Sequence, residues 1–353
     1  MTYTEEEENL IVFSSFEELS DKVKHNLVFK CKDEEERKRY MIKTLSGGVY
    51  NNIVNNFHSD IYRTQFMKSL QKKGIKCVTY LYPLYPENLK HIDEPPIVLF
   101  CKGKTELLKS NCFSVVGSRR TSAQALALCK RISGELTQAF TVVTGMAEGA
   151  DSAAIEGAIS SGKVISVLAN GFDYFYPATN KSLIEKVARE GLLICEYLPH
   201  IQPLKYNFPV RNRIIAGLSR GVLVVSAGEK SGALITADCA LEYGRDVFAF
   251  PYNAGIASGA GCNALIKNGA YLTENILDIF KAFGLDLKKS KQSQNLNGDE
   301  LALLEEIKIT GEAFLPDIAQ KLNKFTYQLI PVAVSLEIKG LITKLGGNRY
   351  GIV

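Results

Sequence analysis

Three stretches carry residues that can hold an anion. VVGSRRTS places Gly117, Ser118 and Arg119 between an apolar run and a helical one. A glycine there lets the backbone come close to a ligand, and free N–H groups at a helix start attract negative charge. SAGEKSGALITADCALEYGR sets Lys230, Ser231 and Gly232 at another helix start, with Ser231 as a cap and Gly232 leaving that end open. Between them PLKYNFPVRNR supplies Lys205, Phe208, Arg211 and Arg213. Pro209 suits a first helical turn, yet arginines at a helix start oppose the macrodipole, at a few tenths to about 1 kcal/mol each. A phosphate completing the site would offset that cost. Cations for phosphates beside an aromatic for a base is the chemistry of single-stranded nucleic acid binding.

Other chemistries lack their residues. No GxGxxG with a ribose-binding acid follows, and no P-loop, HExxH or histidine-paired nucleophile occurs, so neither a cofactor nor a catalytic set is expected. Eight scattered cysteines form no CxxC pair and read as small buried residues of a reducing compartment; four separated histidines give no zinc signature. Asp151, Asp173 and Glu196 read as acids that orient arginines or cap helices. The glycines of TGMAEGAD fit a packing turn or a ligand contact equally, and the aromatics of NGFDYFYPATN read as core or rim. The competing enzyme reading is a nucleotide phosphoribohydrolase, but EKSGALIT lacks the double glycine and paired acid and threonine of that turn.

The elements that must position these residues follow from periodicity. Short apolar runs (CFSVVG, TVVTG, KVISVLA, LLICE, GVLVVSA, DVFAF) alternate with helical segments, including one with Leu128, Ile132, Leu136 and Phe140 at steps of four. Asn180 is placed to cap another helix, and further helices are expected at 211–219 and 232–243. All-apolar strands alternating with helices predict an α/β fold, a Rossmann-like doubly wound and mostly parallel sheet, over residues 104–283. Ligands gather outside the carboxyl ends of such strands, where all three stretches fall. Residues 1–103 read as a helical interaction region with helices near 14–27, 33–45 and 60–73, then a short strand-like GIKCVTY and, in YPENLKHIDEPPIVLFCKG, a loop leading to a strand. Residues 284–299 read as a polar linker, and 300–353 as a winged-helix domain whose hairpin turns at Gly346, Gly347 and Asn348. In that last domain six acids balance six bases, and Pro331 interrupts the would-be recognition helix, which favours a protein contact over duplex reading.

With 46% hydrophobic and 23% charged residues, the composition is that of an ordinary soluble protein. A net charge of +4 permits a polyanionic partner only if cations are locally concentrated. The acidic MTYTEEEENL is no secretory or transit peptide, and no apolar run is long enough to span a membrane, so a cytoplasmic protein is expected.

VVGSRRTS, TGMAEGADSAA, VLANGFDYFYP, FPVRNRIIAGLS, SGALITA and SGAGCNALIKNGA, in this order, resemble the DNA-processing protein A family (DprA, also called Smf). The resemblance covers roughly 74–283 and implies single-stranded DNA binding without catalysis, protection of incoming strands in natural transformation, and loading of the RecA recombinase. It implies a DNA pocket at Gly117, Ser118, Arg119, Lys205, Phe208, Arg211, Asn212, Arg213, Ser231 and Gly232, beside which Lys230 falls. It also implies a homodimer through Asn263 to Leu272, with Ile266 between them. Ile155 stands where the family often has a histidine, Ala233 replaces a common serine, and FPY at 250–252 replaces VPG. The amino-terminal region lacks the family's glycine-rich helix-hairpin-helix signature.

Overall fold

The computed structural model describes residues 2–285 and 296–352. Five helices lead: α1 (Glu5–Ser14), α2 (Asp21–Phe29), α3 (Glu34–Thr44), α4 (Gly47–Phe57) and α5 (Asp60–Lys72). Where one helix is expected over 14–27, the chain breaks. Ser15 ends α1, Ser20 caps α2 through the Val23 N–H, and Phe16 and Leu19 between them turn into a small core with Leu27 and Ile53. The glycines and asparagines of GGVYNNIVNNF gave no helical expectation; Ser46 caps α4, and Val49, Ile53 and Phe57 bury its apolar side.

The sheet begins earlier than the expected boundary at 104. β1 (Lys76–Thr79), the short α6 (Glu87–Lys90) and β2 (Val98–Gly103) precede β3 (Cys112–Val116). Then come α7 (Ala123–Leu136), β4 (Thr141–Thr144), α8 (Ala150–Ala158), β5 (Val164–Val167), α9 (Lys181–Glu190) and β6 (Leu192–Cys195). α10 (Asn207–Leu218), β7 (Gly221–Val224), α11 (Gly232–Glu242), β8 (Asp246–Ala249), α12 (Ala260–Lys267), β9 (Tyr271–Leu272) and α13 (Ile276–Ala282) follow. The strands form one sheet in the order β1-β2-β6-β5-β4-β3-β7-β8-β9. From β6 to β9 the neighbours are parallel; β2 runs antiparallel to β6, and β1 to β2. The architecture is the α/β, Rossmann-like, mostly parallel sheet expected from the sequence.

Period-two alternation divides the core between the two faces. From β3, Phe113 and Val115 meet Cys129, Ile132 and Leu136 of α7, together with Ala154 of α8. Cys112 and Val116 point the other way, toward Ile214 of α10 and Ala237 of α11. The α7 stripe is thus Ala125, Cys129, Ile132 and Leu136; the helix stops at Leu136, and Phe140 is buried in the connection after it. Asn180 begins α9 without capping it through its side chain. Its amide instead donates to Met146 O at 2.9 Å and to Ser152 Oγ at 3.0 Å, tying α9 to the turn after β4. At one edge of the sheet the Cys77 N–H of β1 donates to the Tyr3 hydroxyl at 2.9 Å. At the other edge lies β9, with Tyr271 and Leu272 each 47% exposed.

The expected linker at 284–299 lies mainly outside the described residues. Beyond it α14 (Gly298–Thr310), β10 (Glu312–Phe314), α15 (Leu315–Lys321), α16 (Thr326–Ile338), β11 (Ile342–Gly346) and β12 (Arg349–Ile352) enclose their own core around Leu303, Leu329 and Leu336. The three strands form an antiparallel sheet in the order β10-β12-β11. Gly347 and Asn348 turn the β11–β12 hairpin, both at positive φ (55° and 61°), as a two-residue I′-type connection requires. Among the described residues, no helix is long and apolar enough to cross a membrane.

Candidate nucleic-acid interface

From β3 the chain winds outward through β4, β5 and β6, then returns to place β7 on the other side of β3. The turns after β3 and β7 therefore diverge, leaving the crevice in which open α/β sheets hold ligands. Gly117, Ser118 and Arg119 occupy the first turn, and Lys230 and Ser231 the second, just before Gly232 at the start of α11. Ser118 joins the two turns. Its N–H and hydroxyl both donate to Ser226 O, at 2.8 and 3.1 Å, and its Oγ lies 3.5 Å from Ser231 Oγ. Ser231 caps α11 by accepting from the Ala233 N–H at 3.3 Å, while Gly232 is exposed.

The third turn closes against the first. Gly149 has φ +80°, and a Cβ there would collide with the carbonyl oxygens of Ser118 and Arg119. Only glycine allows this approach, so TGMAEGAD positions the Arg119 backbone.

Between these turns and α10 lies a cavity of about 230 Å³. Its wall includes Arg119, Glu148, Asn170, Tyr176, Phe208 and Arg211. The Arg119 guanidinium stands 5.7 Å from the Phe208 ring centroid, a cation–π contact, and the Phe208 and Tyr176 centroids are 5.4 Å apart. Phe208 and Tyr176 are half-buried, so they offer ring surface to the cavity without closing it.

The two arginines of α10 part company. The helix begins at Asn207, ahead of the expected 211, and Arg211 is 5% exposed. Its guanidinium donates to Val167 O and, through Nε, to Asn212 Oδ1 at 3.2 Å. Asn212 in turn donates to Gly232 O at 3.2 Å, coupling α10 to the start of α11. Gly145 makes room for Arg211 and Asp151, since a Cβ there would strike both. Burial pushes the Asp151 carboxyl above its usual range, while Arg211 and the Ala147 N–H, which donates to it at 3.1 Å, draw it back. Arg213 is not brought to the cavity: it forms an ion pair with Glu196, the two side chains 15% and 12% exposed. Desolvation raises the Glu196 carboxyl against the pull of Arg213. The ion pair commits Arg213 to Glu196 within the fold, although Arg213 Nε and Nη1 and Glu196 Oε1 are buried without a partner.

Arg119, Arg120, Lys205 and Lys230 are exposed, and none has an acidic partner among the described residues. Of the dimer candidates, Asn263 is engaged internally, accepting from Tyr252 N at 3.0 Å and donating to Tyr252 O at 2.9 Å. Ile266 is half-buried and Leu272 exposed at the sheet edge. The described cysteines are free thiols; Cys31 and Cys239 are half-buried rather than buried. Burial pushes Cys77, Cys112, Cys129 and Cys195 up to about 12, which leaves them protonated at neutral pH. Sequence reasoning did not single out Glu148, Asn170 or Tyr176; their signal lay in the two turns read as packing or rim.

A family model described as DNA recombination-mediator protein A matches residues 76–284. The DNA processing protein DprA of Streptococcus pneumoniae is 43% identical over 200 residues, 56% of this chain and 71% of that protein. An X-ray structure of DprA from Streptococcus pneumoniae superposes with a TM-score of 0.70 at 33% identity, covering 80% of this chain and 98% of the other. A structure of DNA processing protein A from Helicobacter pylori, reported for its single-stranded DNA binding mode, superposes with a TM-score of 0.55 at 27% identity, covering 59% and 95%.

Proposed function

This chain belongs to the DNA recombination-mediator protein A family, and from that premise we propose that it binds single-stranded DNA without catalysing a reaction, protecting incoming strands in natural transformation and helping load RecA. The observation that carries the reading is the exposed Arg119 on the wall of a cavity that also holds Tyr176 and Phe208, with the exposed cations Arg120, Lys205 and Lys230, none in an ion pair among the described residues, on the segments that lead into α7, α10 and α11. Exposed cations release counterions on meeting phosphates, and Phe208 and Tyr176 give an unpaired base a surface to stack on. A duplex keeps its bases paired and would use the cations alone. Gly117, Ser231 and Gly232 bring backbone and hydroxyl groups to the strand; Ser118, whose N–H and hydroxyl both donate to Ser226 O, joins the two turns, and Arg211 and Asn212 act behind the strand by holding α10 against β5 and α11.

The same reading takes the chain as a homodimer joined through Asn263 to Leu272, a stretch that ends at the β9 edge with Tyr271 and Leu272 exposed. It takes residues 300–353 as a winged-helix domain that contacts protein, since α16 presents Tyr327, Ile330, Val334 and Ile338 to solvent.

Fluorescence anisotropy of a labelled mixed-sequence 20-mer, single-stranded and duplex, across salt concentrations tests the binding. The single strand is expected to bind more tightly, with log affinity falling by about 0.7 per phosphate contacted per decade of salt. A flat salt response, or equal affinity for duplex, overturns it. The RecA step is tested separately by the lag of RecA assembly on protein-coated single strands, which the chain should shorten.

A further inference from the structure

The aromatic residues of the β5–α9 connection do not all belong to the cavity. Tyr176 and Pro177 line it, whereas Phe175, one residue earlier, is no part of that wall and is 44% exposed. Lys181, the first residue of α9, holds its ammonium 5.1 Å from the Phe175 ring centroid. Lys181 is itself exposed and forms no ion pair among the described residues. One exposed apolar side chain is ordinary on a protein surface. An exposed ring paired with an uncommitted cation is a different object, because stacking surface and positive charge together are what carry a single strand.

The connection also holds the ring still. Gly171 lies against the carbonyl oxygens of Leu198 and Pro199, which a Cβ there would strike. The Gly171 and Asp173 N–H groups donate to Ile201 O at 2.8 Å and to Pro199 O at 2.9 Å. From beneath, the buried Asn170 amide donates to Gly171 O at 2.8 Å and to Tyr174 O at 3.0 Å. Asp173 is the one acid between Asn170 and Asn180, and Lys73 already neutralises it at 2.5 Å. A ring fixed in advance loses little freedom when a base stacks on it, and no unpaired acid of the connection repels the phosphate that follows.

The sheet gives the strand its course. β5 stands two places from β3, about 10 Å at the ordinary strand spacing. Arg119 follows β3 and Phe175 follows β5, with the cavity between the same turns. Resting on the single-strand reading above, we infer that Phe175 and Lys181 form a second contact outside the cavity, where a base stacks on the open face of the ring and Lys181 takes the adjoining phosphate. The bound strand then runs from the Arg119 side across β4 toward the start of α9.

The chain contains no tryptophan, so Phe175→Trp puts a unique fluorescent reporter on the platform. Its emission is followed during titration with an unlabelled oligo-dT 20-mer, while anisotropy of the labelled 20-mer measures binding in parallel. Emission is expected to fall as sites fill, and that of Tyr327→Trp, on the terminal body, to stay level. Phe175→Leu keeps an apolar side chain without a ring and should weaken binding about fivefold or more. Lys181→Gln should lower the salt slope by about 0.7. Melting temperatures confirm that each variant folds. Unchanged emission of Phe175→Trp at saturation, equal quenching of both reporters, or wild-type affinity in Phe175→Leu overturns the platform and leaves single-strand binding standing. Failure of wild type to bind the 20-mer overturns the underlying reading and this inference with it.

Discussion

The sheet end and the carboxyl-terminal body handle their cations in opposite ways. At the sheet end Arg119, Arg120, Lys205 and Lys230 stand exposed, and none forms an ion pair among the described residues. In the terminal body Lys321 pairs with Glu306, Lys324 with Asp299, Lys339 with Glu300 and Arg349 with Glu312. The helix that would face a duplex in a winged helix, α16, exposes Tyr327, Ile330, Val334 and Ile338 instead of basic residues. A cation neutralised by its own chain releases few counterions on meeting DNA, so net charge alone does not reveal a nucleic-acid surface. On the proposed function, polyanion capture falls to the sheet end and apolar contacts to the terminal body.

Converting one region into the other should break this contrast. Arg119→Glu with Lys230→Glu gives the sheet end acids of its own; single-strand affinity should fall on the order of a hundredfold at moderate salt, with the salt slope reduced by about 1.4. Anisotropy titrations at several salt concentrations read both. Arg211→Ala probes the buried cation of the same region. Removing it strands Asp151 in a dry site, so unfolding free energy by denaturant titration should drop by about 3 kcal/mol or more. Arg119→Ala should change that stability by less than about 0.5 kcal/mol while still weakening DNA binding. In the reverse direction, Glu306→Gln with Glu312→Gln frees Lys321 and Arg349. The full chain should then gain a small nonspecific duplex affinity, its salt slope steeper by less than about 2.

The smallest effect is a pH response confined to the terminal body. Lys339, the Ser335 hydroxyl and the Asn297 N–H hold the Glu300 carboxyl down at about 2, from an ordinary 4.5. Because the folded value is the lower one, this stabilisation is complete above about 4.5 and is lost as pH falls toward 2. Thermal melts followed by circular dichroism between pH 5 and 2 should show the wild-type terminal transition falling relative to that of Glu300→Gln.

Much of the parallel sheet was legible because strands buried on both faces read as unbroken apolar runs between helical periods. The strands β1 and β2 were legible too, in GIKCVTY and EPPIVLFCKG, but their antiparallel entry into the sheet was not, since pairing with β6 is a long-range choice that local pattern does not encode. α4 escaped because its glycines and asparagines are poor helix formers, overridden by a serine cap and by packing. The separation of Arg211 from Arg213 was available in the spacing. Residues two apart on a helix stand about 200° around its axis, so both could not face one cavity. What spacing could not show is that Arg213 would find Glu196, seventeen residues earlier, as its partner.

The Tyr3 hydroxyl on the Cys77 N–H gives the sheet a direction of growth. Edge strands are templates for further strands, and a molecule with two open edges can add copies without limit. Here the β1 edge is stoppered by the chain's own amino-terminal tyrosine, while the opposite edge at β9 remains accessible. For this nine-stranded sheet, then, two copies that met at β9 would occupy each other's accessible edge, and assembly by that route would end in a closed pair rather than a fibre.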